Sequence, residues 1–232
     1  GIEYKVHGFP TGIIRDDLKV VVGASVYTDP VGAMEELDYF ESKGVQNLDP
    51  TRITVSYEAR VVTPGHKWLD GNREDGRGGQ GSTRKGIAYV ASDKYRREDL
   101  DAYEAAEMSR KDLREYAEDD MVQAVASKGK TITQAERLAI EEWVNATERW
   151  QPFVGNGIDV VRGTLLDGKK VLAEGSQGMW LDIDHGPHKI GTSSHIELGG
   201  ILNGGAIPID EVTGIYMAVK AFKSRVGNGP FV

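Results

Sequence analysis

Short apolar runs alternate with amphipathic stretches along the chain, and the period of each run sets the element it predicts. Residues 3–7 and 18–22 read as strands joined by the turn Pro10-Thr11-Gly12. Asp29-Pro30 opens a helix, because Asp can cap it and Pro suits a first turn. Gly44 ends that helix. Strands follow near 52–57 and 60–63, and Pro64 starts a short helix through Trp68. Gly71, Gly76, Gly78, Gly79 and Gly81 then stand among charged residues. That stretch reads as a mobile loop, either a plain connector or a phosphate-covering flap. Residues 98–120 carry ten acidic and three basic side chains, which predicts a solvated, mostly helical face. Thr133-Gln134-Ala135-Glu136 matches a capping box and starts a helix to about Trp150. Ile140, Trp143, Val144, Thr147 and Trp150 share one face of it and are expected in the core. Strands return at 170–175 and 212–220, with a helix over 196–204 that Gly199 and Gly200 weaken.

This alternation predicts an α/β fold: a large mixed, mostly parallel sheet flanked by helices. The 232 residues fit one domain, with 98–150 as a helical insertion or subdomain. A net charge of −8 argues against wrapping a nucleic-acid backbone. Arg84-Lys85 and Lys94 to Arg97 could still hold single phosphates. The absence of cysteine excludes disulfides, thiolate zinc sites and cysteine nucleophiles, and it fits a reducing cytoplasm. No apolar run is long enough to span a bilayer. The chain opens at Gly1 and stops at Val232 inside a motif, so both ends are expected to be cut.

The densest chemistry lies late in the chain. An apolar strand from Val171 ends in Glu174-Gly175-Ser176-Gln177-Gly178, where small residues let a backbone and a polar side chain approach a ligand. The Gln177 amide can read a purine edge, or simply satisfy a tight turn. Asp182, Asp184, His185 and His188 could form an oxygen–nitrogen metal site, as in a metal-dependent hydrolase. The plainer alternative is a network in which the carboxylates bind backbone amides or orient a histidine. Thr192-Ser193-Ser194 precedes a helix and suits either a phosphate or a cap. Gln80 to Gly86 combines glycine, hydroxyl and cation, but neither it nor any other stretch is a Walker A sequence. His7, His66 and His195 stand alone and receive no role.

Taken together, Glu174-Gly175-Ser176-Gln177-Gly178, Leu181-Asp182-Ile183-Asp184-His185-Gly186, Thr192-Ser193-Ser194 and Arg225-Val226-Gly227-Asn228-Gly229-Pro230-Phe231 resemble the adenylosuccinate synthetase family. Pro10-Thr11-Gly12-Ile13-Ile14-Arg15, Thr28-Asp29-Pro30, Gly81-Ser82-Thr83 and Asp93-Lys94 extend the likeness. The resemblance implies a P-loop-related fold and a ligase that joins L-aspartate to a purine nucleotide. A triphosphate phosphorylates the six-oxygen of the purine, and the aspartate amine then displaces that phosphate. Carried over by position, Gln177 lies at the purine near the reacting carbon, and Thr83 and Thr192 bind the 5′-phosphate. Arg97, or Arg96 in an alternative register, reaches that phosphate from the neighbouring subunit of a homodimer. Val226 offers its carbonyl to the ribose, and Arg225 and Gly227 shape the pocket. The resemblance also implies Mg²⁺, held mainly by residues outside this sequence, and a cytoplasmic enzyme with no nucleic-acid or membrane partner.

The family's Gly-Asp-Glu-Gly-Lys-Gly loop, Asn-Ala-Gly-His and Lys-x-Asp do not occur in the 232 residues. Turnover is therefore expected only from a longer parent chain, and a non-catalytic scaffold is the alternative. Arg84-Lys85-Gly86-Ile87-Ala88-Tyr89 and His195-Ile196-Glu197-Leu198 depart from the usual family pattern. These departures suggest a specialised branch, such as the phage type that uses dGMP with ATP or dATP in place of IMP with GTP.

Overall fold

The computed structural model describes residues 3–76, 82–186, 191–219 and 221. Strand β1 (Val20–Val22) pairs in parallel with β3 (Ile53–Ser56), which pairs in parallel with β5 (Val154–Gly155). Strand β2 (Tyr27–Thr28) pairs in parallel with β4 (Arg60–Val61) as a separate ribbon. Parallel strands need crossovers, and helices supply them, so the α/β expectation holds. In β1 the register Val20↔Ile53 and Val22↔Val55 sets buried pairs side by side.

Helix α1 (Pro30–Ser42) follows Asp29 and buries Ala33, Met34, Leu37 and Phe40. Gly44 follows it at φ 85°, a left-handed conformation natural to glycine. Glu36 of α1 is buried, and its carboxylate accepts the amides of His7 at 2.6 Å and Gly8 at 2.7 Å. Residues 3–7 therefore form no strand, contrary to the sequence pattern: a side chain rather than a ladder satisfies the end of that segment. Helix α2 (Pro64–Asp75) runs about two turns beyond Trp68 and takes up Gly71, which was expected in a loop. A reciprocal cap between Thr63 and His66 and a proline in the first turn start it. Gln80 and Gly81 lie outside the described residues.

Helix α3 (Ile87–Arg96) leads to α4 (Ala102–Glu107) and α5 (Arg110–Ala126). The acidic 98–120 stretch is solvated on one side only, since Leu113, Ala117 and Met121 are buried at four-residue spacing. Helix α6 (Gln134–Trp150) has the capping box at Thr133 and buries all five residues of its expected stripe. Its Trp143 indole donates to the Val62 carbonyl at 2.9 Å. Helix α7 (Gly157–Leu166) closes over the sheet, where a Cβ on Gly157 would lie 2.0 Å from the Ser56 hydroxyl. Helix α8 (Leu198–Gly205) packs its end on residues 23–25 through an Ala24 amide to Gly204 carbonyl bond of 2.8 Å.

Residues 170–175 and the described part of 212–220 are not strands. Leu172, Ile215, Tyr216 and Met217 are exposed, and no described strand offers these runs a ladder. Among the described residues no helix is long and apolar enough to cross a membrane.

Candidate functional site

The hydroxyl-rich loop before α3 is fixed from beneath by α2. Asp70 is buried, and its two oxygens accept the Ser82 hydroxyl at 2.7 Å and the Gly86 amide at 2.9 Å. Ser82 in turn accepts the Arg84 amide at 2.9 Å. Gly86 has φ 74°, and a Cβ there would lie 2.9 Å from the His66 carbonyl carbon. The loop can only pass this close to α2 because the residue is glycine. Thr83 sits exposed at its crest. One turn before Asp70, buried His66 bonds Asp93 of α3 at 2.8 Å. Its other ring nitrogen accepts the Thr63 amide at 3.1 Å, so His66 serves the helix junction.

At the far end of α3, Arg96 pairs with Asp93 at 2.7 Å and Glu98 at 2.8 Å. Arg97 is exposed at φ 63° and has no ion pair among the described residues. Lys94 lies 5.8 Å from the centre of the Tyr27 ring. Burial holds its ammonium below the usual range, and Arg60 lowers it further. The Tyr27 hydroxyl donates to the Ser193 carbonyl at 3.5 Å. Tyr27 thus joins α3 to the Thr192-Ser193-Ser194 loop, two segments about a hundred residues apart that both carry phosphate-type motifs.

Asp182 organises that second loop. One oxygen accepts the amides of Asp184 at 2.9 Å and His185 at 3.1 Å, and the other accepts the amide of Ile196 at 2.7 Å. Three amide donors, led by Ile196, hold its carboxyl down at about 2. The Thr192 amide donates to Leu181 carbonyl at 2.7 Å, which fixes half-buried Thr192 beside this hub. The plainer network reading of the aspartates is the one observed. Asp184 meets His195 at 3.3 Å, and atoms of Asp182, Asp184 and His195 lie within 4.8 Å of one another. The histidine in that group is His195, which the sequence left without a role, not His185. His188 lies outside the described residues. Mg²⁺ prefers an all-oxygen shell, and Asp182 already accepts three amides, so this group does not suit it.

Gln177 is exposed at φ 63°, and the Ser176 hydroxyl donates to its side-chain carbonyl at 2.8 Å. Glu174, three residues earlier, accepts the Thr11 amide at 2.9 Å and the Thr11 hydroxyl at 2.6 Å. The Pro10-Thr11-Gly12 turn and the Glu174 to Gly178 run are therefore in contact across the chain. Sequence reading singled out both segments but not the bond between them. Buried Arg52 secures the same turn, donating to the carbonyls of Ile13 at 3.1 Å and Arg15 at 2.8 Å. Arg225, Val226 and Gly227 lie outside the described residues.

Comparison with known proteins gives these pieces a common frame. The sequence profile described as adenylosuccinate synthetase matches residues 1–232. Adenylosuccinate synthetase of Clostridium botulinum (strain 657 / Type Ba4) is 36% identical over 238 aligned residues, covering 99% of this chain and 54% of that protein. The protein of the same name from strain Eklund 17B / Type B is 34% identical with the same coverage. A fully ligated adenylosuccinate synthetase from Plasmodium falciparum has the same fold, with a TM-score of 0.84 at 23% identity. That match covers 98% of this chain and 53% of the other. The chain spans about half the length of the curated relatives it matches.

Proposed function

The chain belongs to the adenylosuccinate synthetase family, and on that basis we propose that its parent protein ligates L-aspartate to a purine nucleoside monophosphate. The observation that carries this reading is the family match over all 232 residues. In the proposed reaction a triphosphate phosphorylates the six-oxygen of the purine, and the aspartate amine displaces the phosphate. Charge builds up on phosphoryl oxygens in both steps, so positioned donors and cations contribute most.

Gln177 holds the purine edge near the reacting carbon, with the Glu174–Thr11 contact bracing its run. Thr83 and Thr192 donate to the 5′-phosphate, each from a loop tied to the scaffold by an aspartate. Arg97 reaches the same phosphate from the other subunit of a homodimer. Arg96 is held by Asp93 and Glu98, which favours Arg97 over the alternative register. Val226 accepts from the ribose, while Arg225 and Gly227 shape that end of the pocket. Residues 98–150 act as a helical insertion or subdomain of one domain. Mg²⁺ accompanies the triphosphate and is held mainly by residues outside this sequence. The setting is cytoplasmic, with no nucleic-acid or membrane partner.

The substrate pair is IMP with GTP, or dGMP with ATP or dATP. The departures at Arg84-Lys85 and His195-Ile196 favour testing the second. The experiment is phosphate release by the intact enzyme with each monophosphate and each triphosphate. The reading requires that release depend on monophosphate, aspartate and triphosphate together. Release that ignores aspartate would overturn it.

A further inference from the structure

Asp70 belongs to no motif and lies on the far side of the loop from solvent. It is nevertheless one of the few buried carboxylates among the described residues. No cation neutralises it in an ion pair there; it accepts a hydroxyl and a backbone amide from the two ends of Ser82–Gly86. A carboxylate has acceptor capacity only, so both groups must point inward at Asp70. The chain between them is then forced outward, with Thr83 at its crest and Arg84 left-handed at φ 58°. The Gly86 contact with His66 closes the same arch from the helix side. The Ser82 bond to the Arg84 amide fixes the residue that follows Thr83.

We propose that Asp70 is a positioning residue for phosphate recognition: by gripping Ser82 and Gly86 it presents the Thr83 hydroxyl and amide to the 5′-phosphate of the purine nucleotide. This rests on the reading above that Thr83 binds that phosphate. Asp70 touches no substrate. A displaced donor weakens only the part of the ligand it contacts, so the signature of the role is selective loss of phosphate affinity.

The test compares a nucleoside monophosphate with its nucleoside, which differ only in the 5′-phosphate, as ligands of the intact enzyme. Asp70→Asn keeps the side-chain shape but cannot accept both bonds. It is expected to lower monophosphate affinity about tenfold or more, leave nucleoside affinity unchanged, and leave the melting temperature close to that of the parent. Ser82→Ala removes one of the two tethers from an exposed position and is expected to do the same more weakly. It decides the question if Asp70→Asn does not fold. Thr83→Ala is the reference. If it lowers the monophosphate-to-nucleoside ratio and neither tether variant does, the positioning role is refuted while the phosphate reading stands. Equal loss of both ligands in the tether variants also refutes it, since that marks a general structural role. If Thr83→Ala leaves the ratio unchanged, the phosphate reading fails and this inference fails with it.

Discussion

Two parts of the molecule are built on different principles. Every buried hydrophobic side chain among the described residues lies at or before Val161. After it, the one buried residue is Asp182, a carboxylate at 1% exposure. The first part is held by area removed from water, through Trp143, Trp150, Phe40 and their neighbours. The second is held by hydrogen bonds that backbone amides donate to the Asp182 carboxylate and by short contacts back to the first part: Thr11 to Glu174, Tyr27 to Ser193, and residues 23–25 to α8. Most of the motif residues after Val161 stand in loops carried by a core to which they add little, as expected for binding segments on a rigid scaffold. The contrast also shows why strand propensity is not enough. Leu172 and Tyr216 lie in β-prone runs, yet they are 83% and 91% exposed without a ladder.

Substitutions should therefore separate the two parts by size of effect. Trp143→Ala removes a fully buried indole and its bond to Val62. It should destabilise the chain by about 3–5 kcal/mol in chemical denaturation. Gly86→Ala puts a Cβ against the His66 backbone at positive φ. It should cost about 1–3 kcal/mol in the same experiment and disturb the start of α3. Asp182 should produce a local, pH-dependent effect. Its carboxyl lies at about 2, against an ordinary 3.8. Its support is therefore present above 3.8 and lost as pH falls through about 2. The protection of the Ile196 amide, taken relative to its intrinsic exchange rate, should fall over that window, and Asp182→Asn should abolish this fall. Tyr216→Ser should change stability by no more than about 0.5 kcal/mol, because the residue is 91% exposed. A large loss there would break the contrast.

Much of the first part was legible. The Thr133 capping box and the Ile140 to Trp150 stripe place α6 and its buried face, because cap and period point to the same element. Asp29-Pro30 and Gly44 bound α1 as read, although the Asp29 carboxylate makes no cap bond and pairs with Lys67 at 2.6 Å instead. The misses have physical causes. Gly71 read as a loop residue, yet a glycine costs a helix only about 1 kcal/mol, and packing of α2 on α5 outweighs it. Ending α2 at Trp68 hid the four-residue spacing of His66 and Asp70, and with it the clamp on the Thr83 loop. Residues 3–7 read as a strand because the pattern carries no sign that Glu36 captures the amides of His7 and Gly8. In the second part the sequence singles out the motif residues, but the Glu174 to Thr11 bond could not be read from it, since it joins residues 163 apart.

Gln177 gives the most direct test of the ligase reading. It is exposed and supports no core contact, so Gln177→Ala should fold like the parent. The measurement is aspartate-dependent phosphate release by the intact enzyme carrying that substitution. A fall of about a hundredfold or more with an unchanged melting curve is the predicted result. Full activity in the variant would contradict the assignment of this run as the purine site.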